Sequence, residues 1–392
     1  MSKMNNRTVL NKPLFIAFAA FTIIGIVCWI VQLTQGLQLT NLNNYNTWGL
    51  YIIGFMLFTG VAAGSLIFAS SAWLFQSLKE YRPYTRISAF VGAIGSVVAA
   101  GLFIIVDIGN PERVWNIIVN ANFSSPMFWD TLVLSAYIII GIIFTRQLIL
   151  VEEGKKEEKS LRAISLIAFI AGLMVTVTSF VFALQVARPL WNNAVQPLSF
   201  LIAALVAALA LLTIIFIALR KNGYIEINNE LQTKLCKITA AFLLAELLVV
   251  LGETIVGLYP GGGEHYTIIQ WLVTGEGAPF FWVELAAIVA GIVLLFGKKT
   301  GVQITGASIA IFAIFMIKYN LIQAQLINPL ISYAGPPGYN GGEGVYLPSL
   351  LEIGLSLGII ALGGLLVMIG LYKLSMGTRK TISKNNIKNP AS

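Results

Sequence analysis

The chain has 392 residues, of which 57% are apolar and 11% charged. A water-facing surface draws on roughly 25% charged residues, so a soluble globular fold is excluded and the chain is an integral membrane protein. At this charge density the net charge of +8 indicates no nucleic-acid partner; it is the lysine and arginine excess of cytoplasmic loops.

Ten segments are apolar over about 20 residues, the length a membrane helix needs. They lie at 14–33, 48–78, 87–108, 126–150, 163–185, 196–219, 238–259, 280–297, 304–327 and 349–373. The second is long enough to tilt or to extend past the bilayer, and the eighth is short. The alternating segments of a β-barrel are absent, so the expected fold is an all-α integral membrane protein of ten helices. The first segment follows Lys3, Arg7 and Lys12, as a signal peptide would. Its apolar stretch is long, however, and runs into Gln32-Leu33-Thr34-Gln35 without a small-residue cleavage site, so it reads as a retained helix.

With the N-terminus inside, 22 of the 25 basic residues fall on inner segments, Arg113 and Arg188 on outer ones, and Lys318 within the ninth span. That asymmetry puts both termini in the cytoplasm. Inner loops such as EEGKKEEK at 152–159 are solvated connections. Outer loops carry Pro, Gly, Trp and Asn with isolated charges: NPERVW at 110–115, SPMFWD at 125–130, ARPLWNN at 187–193, PGGGEHY at 260–266 and AGPPGYNGGEG at 334–344. Chemically varied loops gathered on one face point to binding there.

Ionisable residues inside spans are costly and usually face a bundle interior. By sequence position Asp107, Asp130, Glu253, Glu284, Lys318 and Glu352 all lie in the outer half, Arg188 just beyond it, and Glu246 near mid-membrane. Asp107 and Glu284 read equally well as end-of-helix groups that reach the interface. Glu246 and Glu253, seven residues apart, share a helix face about 10 Å apart. They read either as half of a proton path or as structural partners of Lys318 or Arg188. Gly60-x-x-x-Gly64 and Gly354-x-x-x-Gly358 are close-packing devices.

The single histidine, His265, rules out a bis-histidine haem within the chain. Cys28 and Cys236 alone support no disulfide framework, zinc site or iron–sulfur cluster, and no metal site is expected. A phosphate-binding G-x-x-x-x-G-K-[ST] loop is missing. Two function classes survive. A secondary transporter would place polar groups at the midplane with access from both sides. A quinone-handling subunit would place them near one surface, with a carboxylate to exchange protons. The depth pattern favours the second.

Several stretches then resemble one family. Asn46-Thr47-Trp48-Gly49-Leu50-Tyr51 and the following run to Gly64 are similar to the opening of the NrfD/polysulfide-reductase membrane subunits. Asp107-Ile108-Gly109-Asn110-Pro111-Glu112-Arg113-Val114-Trp115 resembles that family's D-x-G-x-P-E-R-x-W loop. Ser125-Pro126-Met127-Phe128-Trp129-Asp130 resembles its S-P-M-x-W segment, and Arg188-Pro189-Leu190-Trp191 its R-P-x-W turn. Tyr346-x-Pro348-Ser349 with Glu352 is similar to the C-terminal part of ten-span members.

The resemblance implies two four-helix bundles, spans two to five and six to nine, with flanking helices. Its division would be an N-terminal helix and loop (1–45), a first bundle with the quinone site (46–195), a second bundle (196–330) and a C-terminal helix and tail (331–392). It implies a subunit in a prokaryotic cell membrane that exchanges electrons between menaquinol or ubiquinol and an iron–sulfur partner on the outer face. That partner is often a four-cluster protein and commonly pairs with a molybdopterin catalytic subunit. The chain itself would hold no haem and no cluster. The quinone pocket would lie in the first bundle near the outer face, lined or supported by Asn46, Trp48, Asp107, Arg113, Trp129, Asp130 and Arg188. Some relatives carry a histidine in the first bundle and this chain has none there. Asp130, and after it Asp107, is then the expected proton acceptor. Glu246, Glu253, Glu284, Lys318 and Glu352 are the expected members of a proton route in the second bundle. A proton-coupled transporter is the alternative.

Overall fold

The computed structural model describes residues 11–327 and 345–374. Lys3, Arg7, the 334–344 loop sequence and the basic tail beyond Leu374 lie outside the described residues. Ten helices are long and apolar enough to cross a bilayer: α1 (Lys12–Gln35), α2 (Leu50–Leu74), α3 (Gln76–Asp107), α4 (Pro126–Glu152), α5 (Glu158–Ala183), α6 (Gln196–Lys221), α7 (Asn229–Leu258), α8 (Ala278–Leu295), α9 (Thr300–Leu326) and α10 (Leu350–Lys373). No strand occurs among the described residues, and the fold class is the expected one.

Local chemistry explains the ends. Asn11 caps α1 by accepting from the Leu14 N–H, with Pro13 in the first turn. The second span stops earlier than expected, at Leu74: Phe75 is extended and the polar stretch Gln76–Tyr84, with Lys79, Glu80, Arg82 and Pro83, forms the tight 3₁₀ turns that open α3. The third span is correspondingly longer. Within α3 the ladder widens to a π-helix over Val91–Ser96, and within α5 it tightens to 3₁₀ over Val175–Ser179. α8 has 18 residues, about 27 Å, slightly less than the hydrocarbon core. Before it lies a short helix, Glu264–Thr274, that begins within the 260–266 loop sequence.

α2 is the central helix, contacting α3 and α5 on one side and α6 and α9 on the other. α2–α5 close one four-helix ring and α6–α9 a second, while α1 and α10 pack on each other and α10 lies along α3. The seam between the rings is built on small residues. A Cβ on Gly64 would strike the Ala204 carbonyl and stand 2.7 Å from Ala208 Cβ; one on Gly60 would come within 3.3 Å of Ala204 Cα. The α1–α10 pair uses the same device, with Gly25 facing Gly358 backbone to backbone. Lipid supplies no hydrophobic force between helices, so this close approach is what holds them. Ile16, Phe21, Ile23, Val27 and Ile30 of α1 are exposed, a surface for acyl chains.

The basic connections gather at one end. Arg86 pairs with Glu152 at 2.5 Å, Lys234 with Glu80 at 3.2 Å, and Arg220 donates to Asn229 at 2.6 Å and Thr300 at 3.2 Å. The loops after α1, α3, α5 and α7 share the opposite, lysine-poor end, tied by Asn41 to the Leu347 carbonyl and by Asn193 to Glu253. Ten spans with alternating loop chemistry therefore agree with the structure.

Candidate functional site

Three hydroxyl residues crowd one turn of α5. Thr176 donates to the Leu173 carbonyl at 2.7 Å and Ser179 to the Thr176 carbonyl at 2.5 Å. Such side-chain bonds compete with the α-ladder, and a 3₁₀ stretch inside a helix often marks a functional position. The tightened turn aims Thr178 at α4, where its hydroxyl donates 2.5 Å to Asp130 Oδ1. Asp130 is buried, and Thr178 is its neighbour in place of a cation.

Thr178 also lines a narrow crevice at the seam between the two rings. Its walls come from α2 (Met56 to Ala63), α5 (Val175, Thr176, Thr178), α6 (Phe200 to Ala207) and α9 (Ile314, Lys318). Apart from the three threonines and Lys318 the lining is apolar. Lys318 is 2% exposed, and its Nζ stands 3.6 Å from the centroid of the Phe200 ring. Neither Lys318 Nζ nor Thr59 Oγ1 has a hydrogen-bond partner among the described residues.

An aromatic wall closes the lysine-poor end. Trp48 stacks on Trp191 at 5.3 Å, and Phe182 meets both edge-on and continues to Phe200. The Arg188–Trp191 turn docks across the seam onto the end of α9: Leu190 N–H donates to Gln325 Oε1 at 2.7 Å and Trp191 Nε1 to the Leu321 carbonyl at 2.7 Å. Arg188 lies over the Trp191 ring and donates to the Gln325 carbonyl. Burial lowers its pKa and Glu264 opposes the shift, but a guanidinium stays charged. Burial likewise lowers His265, which favours the neutral ring.

The expected site residues fall into three groups. Asp130 touches the crevice through Thr178, and Trp48 and Arg188 belong to its aromatic rim. Asp107 faces elsewhere: it lies within electrostatic reach of Tyr51 and Glu352, beside the α1–α10 pair, and its Oδ1 is buried without a hydrogen-bond partner among the described residues. Asn46 is buried in the loop before α2. Arg113 and Trp129 are exposed, Trp129 to 46%, with its Nε1 donating to the Phe123 carbonyl. The crevice is thus shared between the bundles, whereas the expected pocket lay within the first. Sequence reading missed Thr59, Thr178 and Phe200, whose only signal is a hydroxyl or a ring in an apolar span.

In the second bundle Glu246, Glu253, Glu284 and Lys318 lie within electrostatic reach of one another. Each carboxylate meets a neutral donor: Ser199 to Glu246 at 2.6 Å, Asn193 to Glu253 at 3.0 Å, Asn320 to Glu284 at 2.6 Å. Glu352 stands apart from them. It accepts from the Asn41 and Ser349 N–H groups and from the Tyr346 hydroxyl, closing the capping box of α10.

A family model described as polysulphide reductase, NrfD, matches residues 38–329. The chain belongs to the NrfD family. Among its relatives is a Halobacterium salinarum protein assigned as a membrane subunit of dimethyl sulfoxide reductase, 28% identical with 91% of this chain and 90% of the relative covered. A selenate reductase subunit from Mesobacillus selenatarsenatis is 24% identical over 90% and 92% of the two chains. The integral membrane subunit of an Hdr-like menaquinol oxidoreductase from Archaeoglobus fulgidus is 28% identical over 97% and 98%. Family and helices together make this NrfD protein a multi-pass membrane protein of a prokaryote.

Proposed function

We propose that this NrfD protein is the membrane subunit of a respiratory oxidoreductase that exchanges electrons between menaquinol in the bilayer and an iron–sulfur partner on the lysine-poor, extracytoplasmic face. The partner would in turn serve a molybdopterin catalytic subunit. The observation that carries this reading is the buried Asp130–Thr178 contact opening on an apolar crevice. The names of the relatives, one of them a menaquinol oxidoreductase subunit, agree with it and give the transporter alternative no support.

The fit is chemical. An apolar lining that includes the Phe200 ring suits an aromatic head group, and the unpartnered Lys318 Nζ and Thr59 Oγ1 suit its oxygens. Oxidation of a quinol supplies two electrons and two protons. Thr178, whose hydroxyl can accept from a ligand hydroxyl while donating to Asp130, connects the crevice to the carboxylate. Asp130 takes the two protons in turn and passes each toward the lysine-poor end. Arg188 contributes positive charge at the rim, and Arg113, exposed on its loop, is available to an incoming partner. Asp107 lacks a crevice hydroxyl and is the second choice as acceptor.

The test is quinol oxidation by the reconstituted complex. General-base transfer contributes typically 10²–10⁴-fold, so Asp130→Asn is expected to lower the rate by about two orders of magnitude and Asp107→Asn by much less. An unchanged rate in Asp130→Asn removes that residue from the role. Copurification of a brown iron–sulfur protein checks the partner.

A further inference from the structure

We propose that Lys318 and Thr59 bind the carbonyl oxygens of the quinone in the seam crevice, so that recognition of the ring comes from both bundles. This inference rests on the quinol-exchange reading and adds the residues that hold the ligand.

Two side chains in the crevice do not do what their kind usually does. A threonine inside a helix commonly donates back to the carbonyl four residues earlier. Thr145, Thr239 and Thr254 all do so here, at 2.8, 2.9 and 2.8 Å. Thr59, equally helical and 3% exposed, makes no such bond, and its Oγ1 is buried without a partner among the described residues. Its hydroxyl is free to donate into the crevice it lines.

A buried ammonium is ordinarily paired and hydrogen-bonded. Lys318 has acids within electrostatic reach, yet it makes no hydrogen bond to any of them. Glu246 accepts from Ser199 instead, and its second oxygen is also without a hydrogen-bond partner among the described residues. The ammonium lies over the face of Phe200, a cation–π contact that leaves its N–H groups unused. Because Lys318 lines the crevice, an acceptor oxygen placed there would take those N–H groups.

The rest of the lining selects the ligand. Gly60, Ala63, Ala204 and Ala207 keep the lining beside Phe200 small and apolar. An ammonium and a hydroxyl contributed from α9 and α2 suit a planar apolar body with acceptor oxygens. A phospholipid ester shares the acceptor chemistry but has no ring to place against Phe200.

The experiment uses the intact complex in nanodiscs and a photoreactive menaquinone analogue. Labelled peptides are expected from α2 and α9. Short-chain menaquinone should displace the label, whereas added phospholipid should not. The dissociation constant of the analogue should rise about tenfold or more in Lys318→Met, the worth of a hydrogen bond from a charged group. It should rise about fivefold in the isosteric Thr59→Val, and Lys318→Arg should restore most of the affinity. In quinol turnover the loss should appear in KM rather than kcat. Labels confined to α3 and α4, or unchanged affinity in Thr59→Val together with Lys318→Met, overturns the proposal. Displacement by phospholipid overturns it too. A wild-type complex that fails to oxidise any quinol sinks the underlying function; one that oxidises quinol while the label falls elsewhere sinks only this inference.

Discussion

At the scale of single residues, the four acids among the five ionisable side chains that sequence position alone groups together divide into two kinds. Glu246, Glu253 and Glu284 are held by a serine and by asparagine or glutamine amides. Such partners can donate or, after a turn of the group, accept, so they tolerate a carboxyl that gains and loses a proton. Glu352 instead takes a tyrosine hydroxyl and two backbone N–H groups, and the N–H groups cannot turn round to accept. The surroundings of the first set accommodate a change of protonation state, and those of the second do not. Glu253→Gln is therefore expected to lower the number of protons moved per electron pair in sealed vesicles, with electron transfer retained. Glu352→Gln should leave that ratio unchanged while lowering thermal stability, by about 1–3 kcal/mol for a buried acceptor exchanged for a donor. Equal ratios in wild type and Glu253→Gln would remove the proton route. Charge made all five residues visible in the sequence. Their partners were not visible, because Ser199, Asn193 and Asn320 are ordinary until the fold brings them to a carboxylate.

Among elements, α2 and its glycines decide how the bundles meet. The small-x-x-x-small pattern at Gly60 and Gly64 was legible as a packing device, but the facing Ala204 and Ala208 on α6 were not. Any added atom at Gly64 meets the Ala204 carbonyl, which is backbone and cannot swing aside. Gly64→Val should push α6 away and destabilise the protein by about 1–3 kcal/mol, the range for overpacked cores. It should also loosen the crevice that the same two helices line. Gly101, on α3, supplies the control: nothing lies within 4 Å of its built Cβ. Gly101→Ala should leave stability unchanged or raise it by about 0.5–1 kcal/mol, and a melting curve of the detergent-solubilised protein separates the two variants.

For the molecule as a whole, the number of spans was legible and their arrangement was not, for one physical reason. Lipid tails are as apolar as a protein interior, so α1, largely exposed, and α2, largely buried, have similar compositions. Which faces meet is written in small residues and buried hydroxyls, and these carry little contrast. The same holds for the crevice, which exists only once α2, α5, α6 and α9 are brought together. Charge is the exception, since no lysine-rich loop crosses a bilayer cheaply. The structure sets Arg86, Lys234 and Arg220 at one end and Arg188 at the other. If the excess marks the cytoplasm, a cysteine at Arg113 faces outward and one at Lys156 inward, both positions being exposed. With Cys28 and Cys236 replaced by alanine, Arg113→Cys should react with a membrane-impermeant maleimide on intact spheroplasts. Lys156→Cys should react only after permeabilisation. The reverse pattern would put the crevice beneath the cytoplasmic surface, and the iron–sulfur partner would then have to dock from the cytoplasm.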